Sequence, residues 1–128
     1  MVDIRDIGAA AAIELLRRSR AGTPLPRETY ELVGPESLTG ETVAAIWSEA
    51  LGRPIRYGGN DLVVMEQRMK AMLPSWQAMD LRLMLSRYQT NGAVATAVDL
   101  ARLTSLLGRP PRSYRDFATD AAAQWTKG

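Results

Sequence analysis

Glycine and proline interrupt this chain so regularly that no part of it can run as one long apolar helix. The breaks fall at Gly22-Thr23-Pro24-Leu25-Pro26, Gly34-Pro35, Gly52-Arg53-Pro54, Gly58-Gly59, Pro74, Asn91-Gly92 and Gly108-Arg109-Pro110. Glycine accepts the left-handed backbone that ends a helix, and proline both lacks a donor and obstructs the preceding turn. The chain therefore reads as a series of short elements, none near the roughly 20 apolar residues of a membrane span. At 128 residues, 46% hydrophobic and 23% charged, it has the composition of one soluble domain, residues 1–128, able to bury about two thirds of its unfolded surface.

Between the breaks, helical signals dominate. Asp6 is a candidate cap for a helix ending near Ser19, whose Ala9-Ala10-Ala11-Ala12-Ile13 run is small and apolar all round and calls for burial. Thr39 opens a helix with Val43, Ile46, Trp47, Ala50 and Leu51 on one face, stopped by Gly52. Asp61 precedes Leu62, Met65, Met69 and Met72 at helical spacing, and Ser75 is expected to cap a further helix running to Asn91-Gly92. Thr96-x-x-Asp99 and Ser113-x-x-Asp116 each have the form of a capping box, opening helices with Leu100, Leu103, Leu106 and Leu107, then Tyr114, Phe117, Ala118, Ala121 and Trp125. Two segments have strand composition instead, Thr29-Tyr30-Glu31-Leu32-Val33 and Pro54-Ile55-Arg56-Tyr57. With a helix between them they predict a right-handed βαβ crossover. The expected class is α/β, mostly helical: one short parallel strand pair packed with about five helices. The shared Leu-Gly-Arg-Pro of residues 51–54 and 107–110 is a helix-stop idiom, Gly at the end and Pro beyond, rather than a repeat.

The absence of both Cys and His removes zinc clusters, thiol chemistry and imidazole acid–base work, so no metal site is expected. Sixteen basic and 14 acidic residues leave +2, too little for a phosphate-binding face. The one dense basic run, Arg17-Arg18-Ser19-Arg20, suits the C-terminal end of a helix dipole. Neither nucleic acid nor a membrane is expected as a partner. The acidic start Val2-Asp3-Ile4-Arg5-Asp6 does not suit a signal peptide, which points to the cytoplasm. Fourteen Arg against two Lys hint at a bacterial source rich in GC.

The most unusual local composition is Met65, Met69, Met72, Met79 and Met84, with Trp76. Flexible thioethers suit an adaptable pocket for a flat apolar ligand, and equally a loosely specified core. Met65, Met69, Met72, Trp76, Met79, Leu83 and Tyr88 are the substrate-binding candidates. Tyr88, just before Asn91-Gly92, is also a catalytic candidate if its hydroxyl enters a cavity. Asp80 shares a stripe with Gln77 and Arg87 and reads as solvated, Glu66 and Lys70 as a surface i,i+4 pair, and Asp61 as a cap rather than a base.

Four segments in order carry a likeness: Val2-Asp3-Ile4-Arg5-Asp6-Ile7-Gly8-Ala9-Ala10, Tyr30 to Thr39, Ala50 to Tyr57, and Leu107-Gly108-Arg109-Pro110-Pro111-Arg112-Ser113-Tyr114-Arg115-Asp116-Phe117. Together they resemble the C-terminal half of NmrA-like atypical short-chain dehydrogenases. The resemblance implies a substrate lobe that packs beside a Rossmann domain, and it makes Asp3 the best single carboxylate for chemistry, against the plainer reading of a local Asp3/Arg5 pair. The family's N-terminal half is not among these residues. No Gly-x-Gly-x-x-Gly occurs, and no tyrosine has a lysine four positions on, so no NAD(P) cofactor is expected on this chain alone. Three functions stay open. The first is a binding lobe for a small apolar or aromatic metabolite, partnered by a separate Rossmann-type subunit or by a second copy in a homodimer. The second is a cofactor-independent cyclase, isomerase or lyase of secondary metabolism, and the third a regulatory interaction module.

Overall fold

The computed structural model describes residues 1–125. They form six helices, α1 (Ile4–Ser19), α2 (Gly40–Leu51), α3 (Leu62–Lys70), α4 (Ser75–Asn91), α5 (Ala97–Leu107) and α6 (Tyr114–Trp125), and no strand is present among them. The expected α/β class, with its βαβ strand pair, is therefore wrong. The two strand-like segments are irregular, and in the second a side chain occupies the groups a ladder would have used. The Ile55 amide donates to Ser48 Oγ at 2.8 Å, and Ser48 Oγ lies 3.2 Å from the Ile55 carbonyl. Pro54 has no amide to offer. Upstream of the other segment, Arg18 donates to the carbonyls of Leu25 and Pro26, while the Arg102 guanidinium lies over the Tyr30 ring, 5.1 Å from its centre. Two segments of four or five residues bury too little to make a sheet unaided, so local side-chain partners win.

Helix punctuation follows the residues closely. Gly52 and Gly108 end α2 and α5 with φ of 63° and 68°. Thr39 accepts the Thr42 amide, Asp61 the amides of Val63 and Val64, and Thr96 with Asp99 forms a reciprocal capping box. Ser113 and Asp116 exchange the same pair of bonds at the start of α6. Two starts differ from expectation. Asp3, not Asp6, caps α1, and Ser75 is the first residue of α4, behind Pro74, which has no side chain able to cap. The Arg17-Arg18 pair sits in the last turn of α1, as expected from the dipole, and both guanidinium groups bind Glu14. That contact, chiefly the Arg17 hydrogen bond, holds the Glu14 carboxyl down at about 2.

The chain divides into two compact units, Met1–Tyr57 with the segment from Ala95 onward, and Gly58–Val94. In the first, α1 packs on α5 and α2 on α6, around buried Ala10, Ile46, Leu103, Ala118 and Ala122. Alanines at these positions let helix axes approach closely. Trp47 of α2 meets α6 through its ring: it stacks on Trp125 at 5.2 Å and 7°, stands edge-on to Phe117 at 6.3 Å, and donates its Nε1–H to the Tyr114 hydroxyl at 3.0 Å. The α1 helix is less buried than its alanine run suggests, with Leu15 and Leu16 exposed. The second unit is the hairpin of α3 and α4, in which Ala78 is the buried residue. Glu66 joins the two helices, its carboxylate 2.7 Å from both Lys70 Nζ and Arg82 Nε. Among the described residues no helix is long and apolar enough to cross a membrane, and no three acidic side chains gather as metal ligands would.

Candidate functional site

The start of the chain and the start of α6 line a cavity of about 210 Å³, open on one side to solvent and bordered by Met1, Val2, Asp3, Ile4, Arg112, Ser113, Tyr114 and Phe117. Its position follows from a buried ionic knot. Asp6, fully buried, faces the loop after α5 and accepts a hydrogen bond from Arg109 Nη2 at 2.6 Å, one from the Arg112 amide at 2.6 Å, and a third from the Arg112 guanidinium. Burial alone would push the Asp6 carboxyl up; the hydrogen bonds from Arg109 and the Arg112 amide, with both positive charges, outweigh it and hold it low. One carboxylate thus ties α1 to the Arg109-Pro110-Pro111-Arg112 segment and presents Arg112 to the cavity.

Asp3 lies at the other wall. Its side chain is 3% exposed. It accepts from the Arg5 amide at 2.8 Å, from Arg5 Nε and from Arg5 Nη2 at 2.7 Å, and Arg5 reaches on to Asp120 of α6 at 2.9 Å. The Arg5 hydrogen bonds, against a smaller opposing effect of burial, lower the Asp3 carboxyl to about 2. At neutral pH it is a fixed negative charge, and a proton acceptor so acidic has little driving force as a base. The N-terminal segment passes over Gly34 at a distance that leaves no room for a side chain: a Cβ there would collide with the Met1 carbonyl oxygen. Gly34 is thus a seat for the cavity wall as well as the end of an extended segment.

The remaining site candidates lie in the hairpin unit. Met65 and Met69 on α3 are half-buried. Met72 falls beyond the end of α3 and is 80% exposed, and Trp76, Met79, Leu83 and Tyr88 on α4 are all exposed. Trp76, Met79 and Leu83 share one stripe of α4 by helical spacing, so the hairpin carries an apolar face turned to solvent. Asp80 is exposed. Asp3 and Tyr88, the two catalytic candidates, belong to different units. The sequence reading did not single out Val2, Ile4, Arg112, Tyr114 or Phe117 as site residues. The readable signal for Arg112 was Arg109-x-x-Arg112 following a helix stop, two cations in search of an acid, but nothing local named Asp6 as that acid.

Five of the six helix starts among the described residues do not fit the pyrophosphate of a dinucleotide. Such a site needs free amides at a helix N-terminus and no competing negative charge. Here Asp3, Asp61, Thr96 with Asp99, and Ser113 with Asp116 already occupy the amides of four helices, and Thr39 caps α2 with Glu41 in its first turn; α4 begins behind Pro74 without a side-chain cap, and no glycine-rich loop leads into it.

The sequence matches no protein-family model and no solved structure. It is similar to an NAD(P)H azoreductase of Xenophilus azovorans, 31% identical over 122 residues. It is equally similar to a (4-alkanoyl-5-oxo-2,5-dihydrofuran-3-yl)methyl phosphate reductase of Streptomyces griseus, 31% identical over 121 residues. These matches take in 95% and 94% of this chain and 40% of each relative. The chain is thus a distant counterpart of part of two reductases, spanning about two fifths of the length of each.

Proposed function

We propose that this chain is the substrate-binding portion of an NAD(P)H-linked reductase and carries no dinucleotide site of its own. One observation supports it above the others: the similarity to two reductases runs along almost the whole of these residues, while no Gly-x-Gly-x-x-Gly occurs among them and every helix start but that of α4 is occupied by its own acids and hydroxyls. In this reading NAD(P)H is held outside these 128 residues, by a Rossmann-type portion or subunit, in the manner that resemblance to the NmrA-like proteins implies. The ligand has a flat, conjugated portion, the feature shared by an azo compound and an alkanoyl-oxo-dihydrofuran, the second of which also carries a phosphate. Asp3 acts as a fixed charge beside it, while the exposed Trp76, Met79 and Leu83 of α4, with Met65, Met69, Met72 and Tyr88 on the same hairpin unit, offer an apolar face to a partner chain.

Two titrations of the purified chain test this. NADPH fluorescence is expected to show no saturation in the micromolar range, and 4-hydroxyazobenzene is expected to quench tryptophan fluorescence saturably. Saturable NADPH binding removes the first half of the proposal, and a dye that fails to bind removes the second.

A further inference from the structure

The cavity at the N-terminal segment makes a more specific demand on its occupant. We infer that it is a binding site for one ring that carries no positive charge, with Val2, Ile4, Tyr114 and Phe117 as its walls; that the ring belongs to a reductase substrate rests on the reading above.

The size comes first. An apolar cavity of about 150 Å³ is enough to hold benzene, and this one has about 210 Å³, room for a substituted six-membered ring and not for a dinucleotide or a long chain. The lining decides the charge. Asp3, Arg112 and the Met1 ammonium are its ionic members, and Asp3 and Arg112 are engaged inside the protein. Each Asp3 oxygen accepts from Arg5, and Arg112 gives both its amide and its guanidinium to Asp6. The Asp3 charge is thus matched before any guest arrives, while Asp6 is shared by Arg109 and Arg112, so the charge left over beside the cavity is positive. A cationic guest would surrender water without gaining a counter-charge, and transfer of an unpaired charge out of water is costly. A neutral ring gives up little water and covers Phe117 and Ile4, which are 41% and 78% exposed and gain from burial.

The wall is held by fit. The Met1 carbonyl rests on Gly34 with no space for a Cβ, so a methyl group at position 34 must lift Met1 and Val2 away from Tyr114 and Phe117. This offers a way to open the cavity from behind without touching its lining.

Fluorobenzene, observed by fluorine NMR with the full chain, is the probe. Saturable broadening is expected, together with shifts of the Val2 and Ile4 methyl signals while those of Met79 and Leu83 stay in place. A cationic probe of the same size, 4-fluorobenzylammonium, is expected to bind roughly tenfold more weakly or worse, because it finds no free counter-charge. V2W, which fills the cavity, and G34A, which displaces its wall, are each expected to weaken fluorobenzene by roughly tenfold or more, with helix content unchanged by circular dichroism. Shifts at Met79 and Leu83 in place of Val2 and Ile4 would overturn the assignment, as would equal binding of the cationic probe or no saturable binding at all. The methyl shifts are read on the unaltered chain, so they decide the question even where a variant does not fold. If 4-hydroxyazobenzene binds but leaves the Val2 and Ile4 signals unmoved, the cavity assignment falls and the reductase reading stands.

Discussion

Replacing Asp6 by alanine should cost this protein more stability than any other single removal of a charge. The carboxylate is fully buried and accepts three hydrogen bonds from two arginines. A hydrogen bond to a charged group contributes about 1.5–3 kcal/mol, and the Arg112 amide left without a partner costs about 1–3 kcal/mol. Against this, the alanine variant no longer desolvates a carboxylate, and Arg109 and Arg112, 38% and 34% exposed, turn back to water. Breaking a buried ion pair costs about 3–5 kcal/mol in general, and those two reliefs place D6A near the lower end, about 3 kcal/mol. Urea unfolding followed by tryptophan fluorescence measures it. The pH dependence gives a second and independent reading. The folded-state carboxyl lies below its ordinary value of 3.8, so its contribution is fully present above that value and is lost as pH falls through the lowered one. The stability gap between the parent and D6N should therefore shrink on acidification below about pH 4. A loss under about 1 kcal/mol for D6A, within the range of ordinary surface changes, would refute the knot as a stabilising element. So would a gap that stays constant down to pH 2.

The other expectations are smaller. Met79→Ala and Leu83→Ala should each change stability by less than about 1 kcal/mol in urea, because the side chains are 45% and 53% exposed and packed core sites cost about 2–5 kcal/mol; losses in the core range would make them structural. Thr96→Ala should cost about 1 kcal/mol through the lost cap and lower helix content slightly by circular dichroism; an unchanged midpoint would show that Asp99 alone holds the end. The exposed apolar side chains of α4 are expected to bring two copies together, and a lone monomer in sedimentation velocity at tens of micromolar would count against a homodimer.

The elements themselves were legible wherever the signal was local. Gly52 and Gly108 stop helices because only glycine takes that backbone cheaply, and Thr39, Asp61, Thr96 and Ser113 start them because a short side-chain oxygen reaches the next turn's amide. These are interactions across two to four residues, so composition and spacing contain them completely. The two strand-like segments show where that logic ends. Their β-branched and aromatic residues favour extended backbone, but a strand also needs a partner, which no segment states by itself, and residues 29–33 and 54–57 are without regular secondary structure. Ser48 supplied the hydrogen bonds of Ile55 instead.

The cavity lies further still from local reading. Its parts come from residues 1–4 and 112–117, more than a hundred positions apart, and what joins them is the fall of Asp6 onto Arg109 and Arg112. In the chain, Asp6 sits one turn beyond Asp3, two acids before an alanine-rich helix, each able to cap it. Only the packing of α1 on α5 decides that Asp3 takes the helix end while Asp6 is carried into the interior, where an unpaired carboxylate would be too costly to keep and two guanidinium groups must meet it. The helix starts and stops were written in neighbouring residues; which acid caps and which is buried was settled by tertiary structure, because desolvation acts on a group only once the rest of the fold has closed around it.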